Sequence, residues 1–409
     1  MKVAIVGAGL TGLTAANRLK EFVRVKVFEK DLPGGLVSVY CKGYCIEKFY
    51  HHCFRFDDDL IETIRDFGLS SKLVWKTART GFAVEGKIYP LNTPFEIFRY
   101  PLLSILDKVR LAYFTLRSRR RNYEEFDNIG VIEGIESELG KSLLNKFFMP
   151  LLRSKFGENS KDVSYAWLLA RVAIRSNRKY SGEEIGYLRH GFHQLVNKMC
   201  EDIEIEREHA KIIKSKFWEV NGEKFDAVIF TAPLPELGEI ARKFNLPKVR
   251  YQSSVCALVG SERTLTEDIY WTNIADELSF GAVIEHTNFM PFEDYGEHLI
   301  YLASYSTPDG WLFNLDDDEL KKLYISDLKK LGLREDDVKW IKVFKAKYSG
   351  PIYEKGFLSK IIPYRIADGF YIAGMVSKPN YPERSMNGSI KAGREVAEQI
   401  MKDFGLLSQ

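Results

Sequence analysis

The 409-residue chain predicts an α/β fold in which a Rossmann-like nucleotide-binding domain is interleaved with a mixed α+β domain. Three observations carry this reading. Residues 1–30 alternate strand, glycine turn, helix and strand; a strand ending in a small-residue turn returns near 225–231 and again near 369–374; and a helical pattern fills the stretch from about 94 to 180. On this basis residues 1–60, 185–250 and 365–409 make one discontinuous domain. Residues 61–184 and 251–364 make the other, with the helical insertion at about 94–180.

The first unit is the most informative. Lys2-Val3-Ala4-Ile5-Val6 is a short apolar run of the kind that strands buried on both faces require, and Arg24-Val25-Lys26-Val27-Phe28 is the next strand. Between them, Gly7-Ala8-Gly9-Leu10-Thr11-Gly12 opens a helix expected over Leu13 to Phe22. In this spacing Gly7 makes the tight turn, Gly9 lets the backbone approach a pyrophosphate, and Gly12 lets helix and strand pack closely. Leu10 and Thr11 then form the positive first turn that holds the phosphates. Glu29 stands at the end of the second strand, about twenty residues on, where a carboxylate accepts ribose hydroxyls and rejects a 2′-phosphate. Without that context the glycines would mark only a turn. With it, they predict an unphosphorylated adenine dinucleotide, FAD or NAD.

Further along, helical spacing runs through Ile97 to Leu116 and Leu139 to Leu152. Strands are expected at Ile203 to Ile205, Phe225 to Thr231, Val255 to Val259, Gly281 to Glu285 and His298 to Leu302, followed by a helix at Asp317 to Leu331. Gly369 to Gly374 reads as a buried strand, followed by a loop rich in proline and asparagine and a helix from about Ser389 to Met401.

Composition excludes several classes. The 59 basic and 56 acidic residues leave a net charge of +3, too little to favour nucleic acid as a partner. No apolar run approaches the roughly 20 residues that span a bilayer, and the N-terminus lacks the pattern of a secretory signal, so a cytoplasmic protein is expected. Cys41, Cys45 and Cys53 beside His51 and His52 raise the question of a metal site, but their spacing matches no familiar zinc module. Val37 to Phe49 also reads as strand, Lys42-Gly43 turn and strand, in which cysteine serves as a small hydrophobe; five cysteines suit reduced thiols, and no metal is predicted.

After Glu29 comes Lys30-Asp31-Leu32-Pro33-Gly34-Gly35-Leu36. This paired glycine resembles the FAD-dependent amine oxidase, protoporphyrinogen oxidase and phytoene desaturase superfamily, which includes UDP-galactopyranose mutase. Gly186 to Leu195, Phe225 to Pro233, and the closing Tyr371-Ile372-Ala373-Gly374 with Met386-Asn387-Gly388-Ser389-Ile390 are similar to the same family. The resemblance implies FAD as cofactor in a glutathione-reductase-like domain. It implies cofactor contacts from Lys30, Gly34, Gly35 and Leu36, from Ala210 to the adenine, and from Gly374, Met375, Met386, Asn387 and Ser389 to the flavin end. The chain departs from the family at Leu36, where arginine is usual, at Met375, where aspartate is usual, at His190, where the first of two glycines is usual, and at Tyr50, which also replaces a glycine.

Tyr50-His51-His52-Cys53-Phe54 resembles a histidine segment that lies near the flavin in the mutase, which makes His52 the candidate catalytic residue. A histidine packed at a domain boundary is the alternative. Tyr270-Trp271-Thr272-Asn273 and Val283 to Asn288 line either an apolar pocket or plain core. Residues 95–121, amphipathic and aromatic and ending in Arg117-Ser118-Arg119-Arg120-Arg121, form either a solvated basic face or a peripheral membrane contact. The resemblance implies an oxidoreductase removing a hydride equivalent from a C–N or C–C bond of an apolar or amine substrate. A UDP-sugar mutase and a non-catalytic, partner-binding member of the fold are the alternatives, and the partner expected is a small molecule, lipid-linked or a nucleotide sugar among the options.

Overall fold

The computed structural model describes residues 1–175 and 182–406, so the end of the predicted insertion at 176–180 lies outside the described residues. One sheet has six strands in the spatial order Arg365–Ala367, Phe370–Ile372, Ala227–Phe230, Lys2–Val6, Arg24–Phe28, Glu204–Glu206. All are parallel except the Arg365–Ala367 edge. The central strand explains itself: Val3, Ala4 and Ile5 are fully buried, because Val3 and Ile5 pack under the helices on one face and Ala4 under Trp218, Val220 and Phe225 of a small three-stranded sheet on the other. The Leu10–Leu19 helix packs against the Met386–Asp403 helix. A Cβ at Gly393 would stand 2.5 Å from the Thr11 carbonyl oxygen, so the glycine sets how closely these two helices meet.

A second, mostly antiparallel sheet runs Val338–Pro351, Tyr251–Ser261, His298–Ser306, Ala282–Glu285, Ile269–Ile274, Leu73–Val84, Glu183–Leu188, Cys53–Phe54, with Lys87–Pro90 added beside Leu73–Val84. Ile269–Ile274 and Leu73–Val84 pair in parallel. The helices between 94 and 175 have their own core, in which Leu139, Phe148, Leu152 and Tyr165 are buried together.

Two local expectations change. Helical spacing over Ile97 to Leu116 resolves into two helices, Pro94–Arg99 and Ile105–Ser118. Pro101 disfavours helical backbone at Tyr100, and the capping boxes Thr93/Glu96 and Ser104/Asp107 start each helix separately. The cysteines near the N-terminus are not all reduced: Cys41 and Cys45 form a disulfide, while Cys53, Cys200 and Cys256 are free. The hairpin Val39–Cys41 and Cys45–Glu47 places the two cysteines directly opposite each other, with Cα atoms 4.1 Å apart. Joined in this way, neither sulfur is available as a thiolate ligand.

Candidate functional site

The C-terminal ends of the parallel strands converge on one cavity of about 2040 Å³. Drug-sized pockets are typically on the order of 300–1,000 Å³, so this one has room for a dinucleotide and a second molecule. Gly7, Gly9, Leu10, Thr11, Glu29, Lys30, Gly34, Gly35, Leu36, Ala210, Gly374, Met375, Met386, Asn387, Ser389 and His52 all line it. Gly12 does not, and its role is packing: a Cβ there would lie 2.0 Å from the Gly7 carbonyl oxygen.

The glycine turn separates into protein demands and ligand demands. Gly7 has φ +106°, and Thr231, whose hydroxyl donates to the carbonyls of Val6 at 2.9 Å and Gly7 at 3.1 Å, pins the turn from the neighbouring strand. Gly9 is different. Its φ of −78° suits any residue, and an added Cβ would meet no protein atom within 4 Å. Nothing in the fold requires glycine there, and the open side of the backbone faces the cavity, with room for a ligand to approach. Gly34 and Gly35, at φ +114° and +57°, fold over this turn, with the Gly34 N–H donating to the Ala8 carbonyl at 2.8 Å.

Glu29 accepts from the Ala8 N–H at 2.8 Å and the Asp31 N–H at 3.0 Å. These bonds hold the carboxylate at the cavity wall, and each oxygen keeps a further acceptor position for a hydroxyl. Arg207, His209 and Glu236 line the same end, and sequence reasoning did not single them out.

Two helix N-termini face the cavity, those of Leu10–Leu19 and Met386–Asp403, and neither has an acidic residue in its first turn. By contrast, Asp317–Lys330 carries Asp317, Asp318 and Glu319 there. Both cavity-facing ends therefore keep their positive dipoles for a bound anion. At the second, Ser385 accepts from the Gly388 N–H at 2.9 Å, and the Asn387 side-chain oxygen is occupied by the Leu60 N–H at 3.0 Å. Gly374, at φ +129°, is braced by Ser377 and Asn380. Leu36 and Met375 contribute apolar wall where the resemblance leads one to expect charge. His190 takes the left-handed backbone of the glycine it replaces, at φ +69°.

Beyond the glycine cradle the cavity becomes aromatic. Trp271 and Asn273 face it, whereas Tyr270 and Thr272 alternate into the core, as strand geometry requires. His52 lies edge-on to Phe54, Tyr270 and Trp271, with Nδ1 3.4 Å from the Tyr270 hydroxyl. His51 also lines the cavity; its Nδ1 meets the Phe49 carbonyl at 2.7 Å, and burial pushes its pKa down to about 4, so the ring is neutral at physiological pH. Tyr50 and Tyr305 share a hydroxyl–hydroxyl bond of 2.6 Å on the same wall.

A polar cluster closes this chamber. Glu383 accepts from Lys155, from the Trp167 indole and, at 3.3 Å, from Arg171. Arg384 stands beside it in space left by Gly350, where a Cβ would meet the guanidinium Nε at 2.5 Å. Lys155 and Arg171 share the one carboxylate of Glu383, and among the described residues Arg384 has no hydrogen-bonding or ion-pair partner. Gln252 Oε1 and the Tyr100 hydroxyl, both buried and both on the cavity wall, also lack partners among the described residues. None of these residues forms a local motif, and charge alone gave no signal for them.

The stretch Val283 to Asn288 is core. His286 is buried among Tyr187, Tyr295 and Tyr301 and bonds the Tyr295 hydroxyl at 2.8 Å. Burial pushes Glu285 up to about 7 despite hydrogen bonds from Leu265 and Thr266. A raised carboxyl contributes stability below its unfolded value near 4.3, and that contribution is lost as pH rises through about 7. Glu285→Gln, uncharged throughout, is expected to show a flatter decline in melting temperature between about pH 5 and 8 than the parent. A parallel decline in both would remove Glu285 as the cause.

The cavity joins a glycine-rich turn at the sheet's C-terminal edge to an aromatic chamber. The chain belongs to the flavin containing amine oxidoreductase family, whose model matches residues 10–401, and is a flavin-dependent oxidoreductase by that membership. Over 211 residues it is 27% identical to coproporphyrinogen III oxidase from Staphylococcus aureus, a match covering 48% of this chain and 44% of that relative. The matched region thus spans less than half the length of this curated relative. In fold it is similar to a protein from Exiguobacterium described as a protoporphyrinogen oxidase, with TM-score 0.79, 19% identity and coverage of 98% and 99% of the two chains. Reduced UDP-galactopyranose mutase gives 0.75 at 19% identity over 100% and 96%. A putrescine oxidase variant gives 0.67 at 13% over 98% and 99%. At these identities the likenesses establish the fold alone.

Proposed function

We propose that the chain is an FAD-dependent oxidoreductase that removes a hydride equivalent from a C–N or C–C bond of a largely apolar substrate bearing an anionic group. The observation that carries this is the single cavity joining the glycine cradle to an aromatic chamber with an unpaired arginine at its wall. Residues 1–60, 185–250 and 365–409 form the Rossmann-like, glutathione-reductase-like domain in this reading. Gly9, Gly34, Gly35 and the two helix termini would hold the pyrophosphate and flavin, and Glu29 the ribose. FAD, when bound, supplies the two-electron acceptor.

The chain's own residues bind and orient. Phe82, Phe147, Leu151 and Trp271 exclude water from the chamber, and Arg384 with Lys155 and Arg171 receives the anionic group. A cationic amine at that wall would meet like charge, which disfavours the amine branch of the family's chemistry for this chain. His52 is the candidate to contact the reacting molecule.

Denaturing the purified yellow protein should release FAD, identified against FMN by chromatography. A colourless protein that takes up no FAD on reconstitution overturns the reading. A second reading, a nucleotide-sugar mutase, is supported by the same cations, which suit a diphosphate, and by the His51-His52 segment on the cavity wall. Conversion of UDP-galactose to a furanose by the photoreduced protein would establish it in place of the oxidoreductase.

A further inference from the structure

The helices Pro94–Arg99 and Ile105–Ser118 carry Phe95, Phe98, Ile105, Leu106, Val109, Tyr113 and Leu116, each between 58% and 68% exposed. Seven large apolar side chains open to solvent within 22 residues is a patch, not scatter. On the longer helix, at about 100° per residue, Ile105, Leu106, Val109, Ala112, Tyr113 and Leu116 fall in an arc of about 120°. Arg110 and Arg117 flank one edge of the arc, and Lys108 and Arg119 the other. The opposite side, Asp107, Phe114 and Ser118, is buried against the protein.

Charge selects the occupant. Residues 95–121 contain seven cationic side chains and two acidic ones. Both acids are taken: Glu96 pairs with Arg79, and Asp107 is buried and bonded to Ser104 and Ser142. Arg121 turns inward to Glu138, while Arg99, Arg110, Arg117, Arg119 and Arg120 are exposed. An apolar stripe edged by cations complements an anionic lipid surface. Two copies of this face would set arginine against arginine, which argues against self-association through it.

We infer that this helix pair docks the protein on an anionic bilayer, with the apolar stripe in the headgroup boundary and the flanking arginines on lipid phosphates. Ile105, Val109 and Leu116 are at once exposed and part of the cavity wall. Docking therefore sets the mouth of the cavity against the lipid, and a membrane-resident apolar molecule reaches the chamber without crossing water. No described helix is long and apolar enough to cross a membrane, so the contact is peripheral.

Co-sedimentation of the full chain with phosphatidylglycerol–phosphatidylcholine vesicles, against phosphatidylcholine alone, tests this independently of any flavin chemistry. Binding is expected to the anionic vesicles at low salt and to weaken as salt is added. The pairs Leu106→Glu/Leu116→Glu and Arg110→Glu/Arg117→Glu are each expected to weaken binding at least ~10-fold with melting temperature unchanged, since all four side chains are exposed. No binding at low salt, or full binding by both variants, overturns the inference. So does a dimer in light scattering that the leucine variant converts to monomer, which would make a second copy the occupant.

Discussion

Gly9→Ala is expected to fold as the parent does and to lose its flavin. The added methyl meets no protein atom within 4 Å, and the backbone at φ −78° accepts alanine without strain, so the melting temperature of the cofactor-free protein should not fall. In the proposed reading the space the methyl takes is where a pyrophosphate approaches the backbone, at the head of a helix whose first turn has no acidic residue and no side-chain cap. Holding the phosphates away from those N–H groups should weaken FAD roughly 100-fold, about 2.7 kcal/mol. Gly12→Ala is the control with the opposite signature. Its methyl would lie 2.0 Å from the Gly7 carbonyl oxygen, so it should destabilise the apo fold itself. Titration of the apo proteins with FAD, beside thermal melts, separates the two. Equal FAD affinity for Gly9→Ala and the parent would remove the cradle from this turn.

The glycine turn could be read from sequence because its physics is local. A strand, a turn needing positive φ at Gly7, and Glu29 at the next strand end all lie within thirty residues, and each constrains the others. Gly34 and Gly35 differ, since only the family resemblance pointed to them. What escaped was assembled across the chain: Lys155 and Arg171 come from two helices of the insertion, Glu383 and Arg384 from the loop before the last helix, and only the fold brings them together. A lysine or arginine in sequence reads as a solvated charge, and nothing in its neighbours says otherwise. For the stretch Val283 to Asn288 the sequence left pocket and core both open, because a histidine among apolar residues suits either; the tyrosine hydroxyl facing His286 lets it sit in the core. Two misses had signals. Pro101 marked the break between the two helices, and the Lys42-Gly43 turn set Cys41 opposite Cys45.

Arg384→Leu is expected to keep FAD and lose the substrate. The guanidinium touches the chamber wall, not the glycine cradle, and among the described residues it has no carboxylate of its own. Its removal therefore strands no buried anion, since Glu383 keeps Lys155, Trp167 and Arg171. A charge-assisted hydrogen bond is worth about 1.5–3 kcal/mol, so kcat/KM for an anionic substrate should fall roughly 10- to 150-fold. The loss should sit mainly in KM, because the interaction is with a group remote from the reacting bond. Lys155 adds a pH signature. Burial, with the Arg171 charge beside it, pushes its pKa down to about 7, against the opposing pull of Glu383. Its positive charge is full at lower pH and is lost as pH rises through that value, so anion affinity should weaken above about pH 7. Lys155→Met should flatten that pH dependence, whereas Arg384→Leu should lower affinity at every pH and leave the slope in place. A neutral or cationic substrate turned over equally well by Arg384→Leu and the parent would refute an anionic substrate and return the amine branch to consideration.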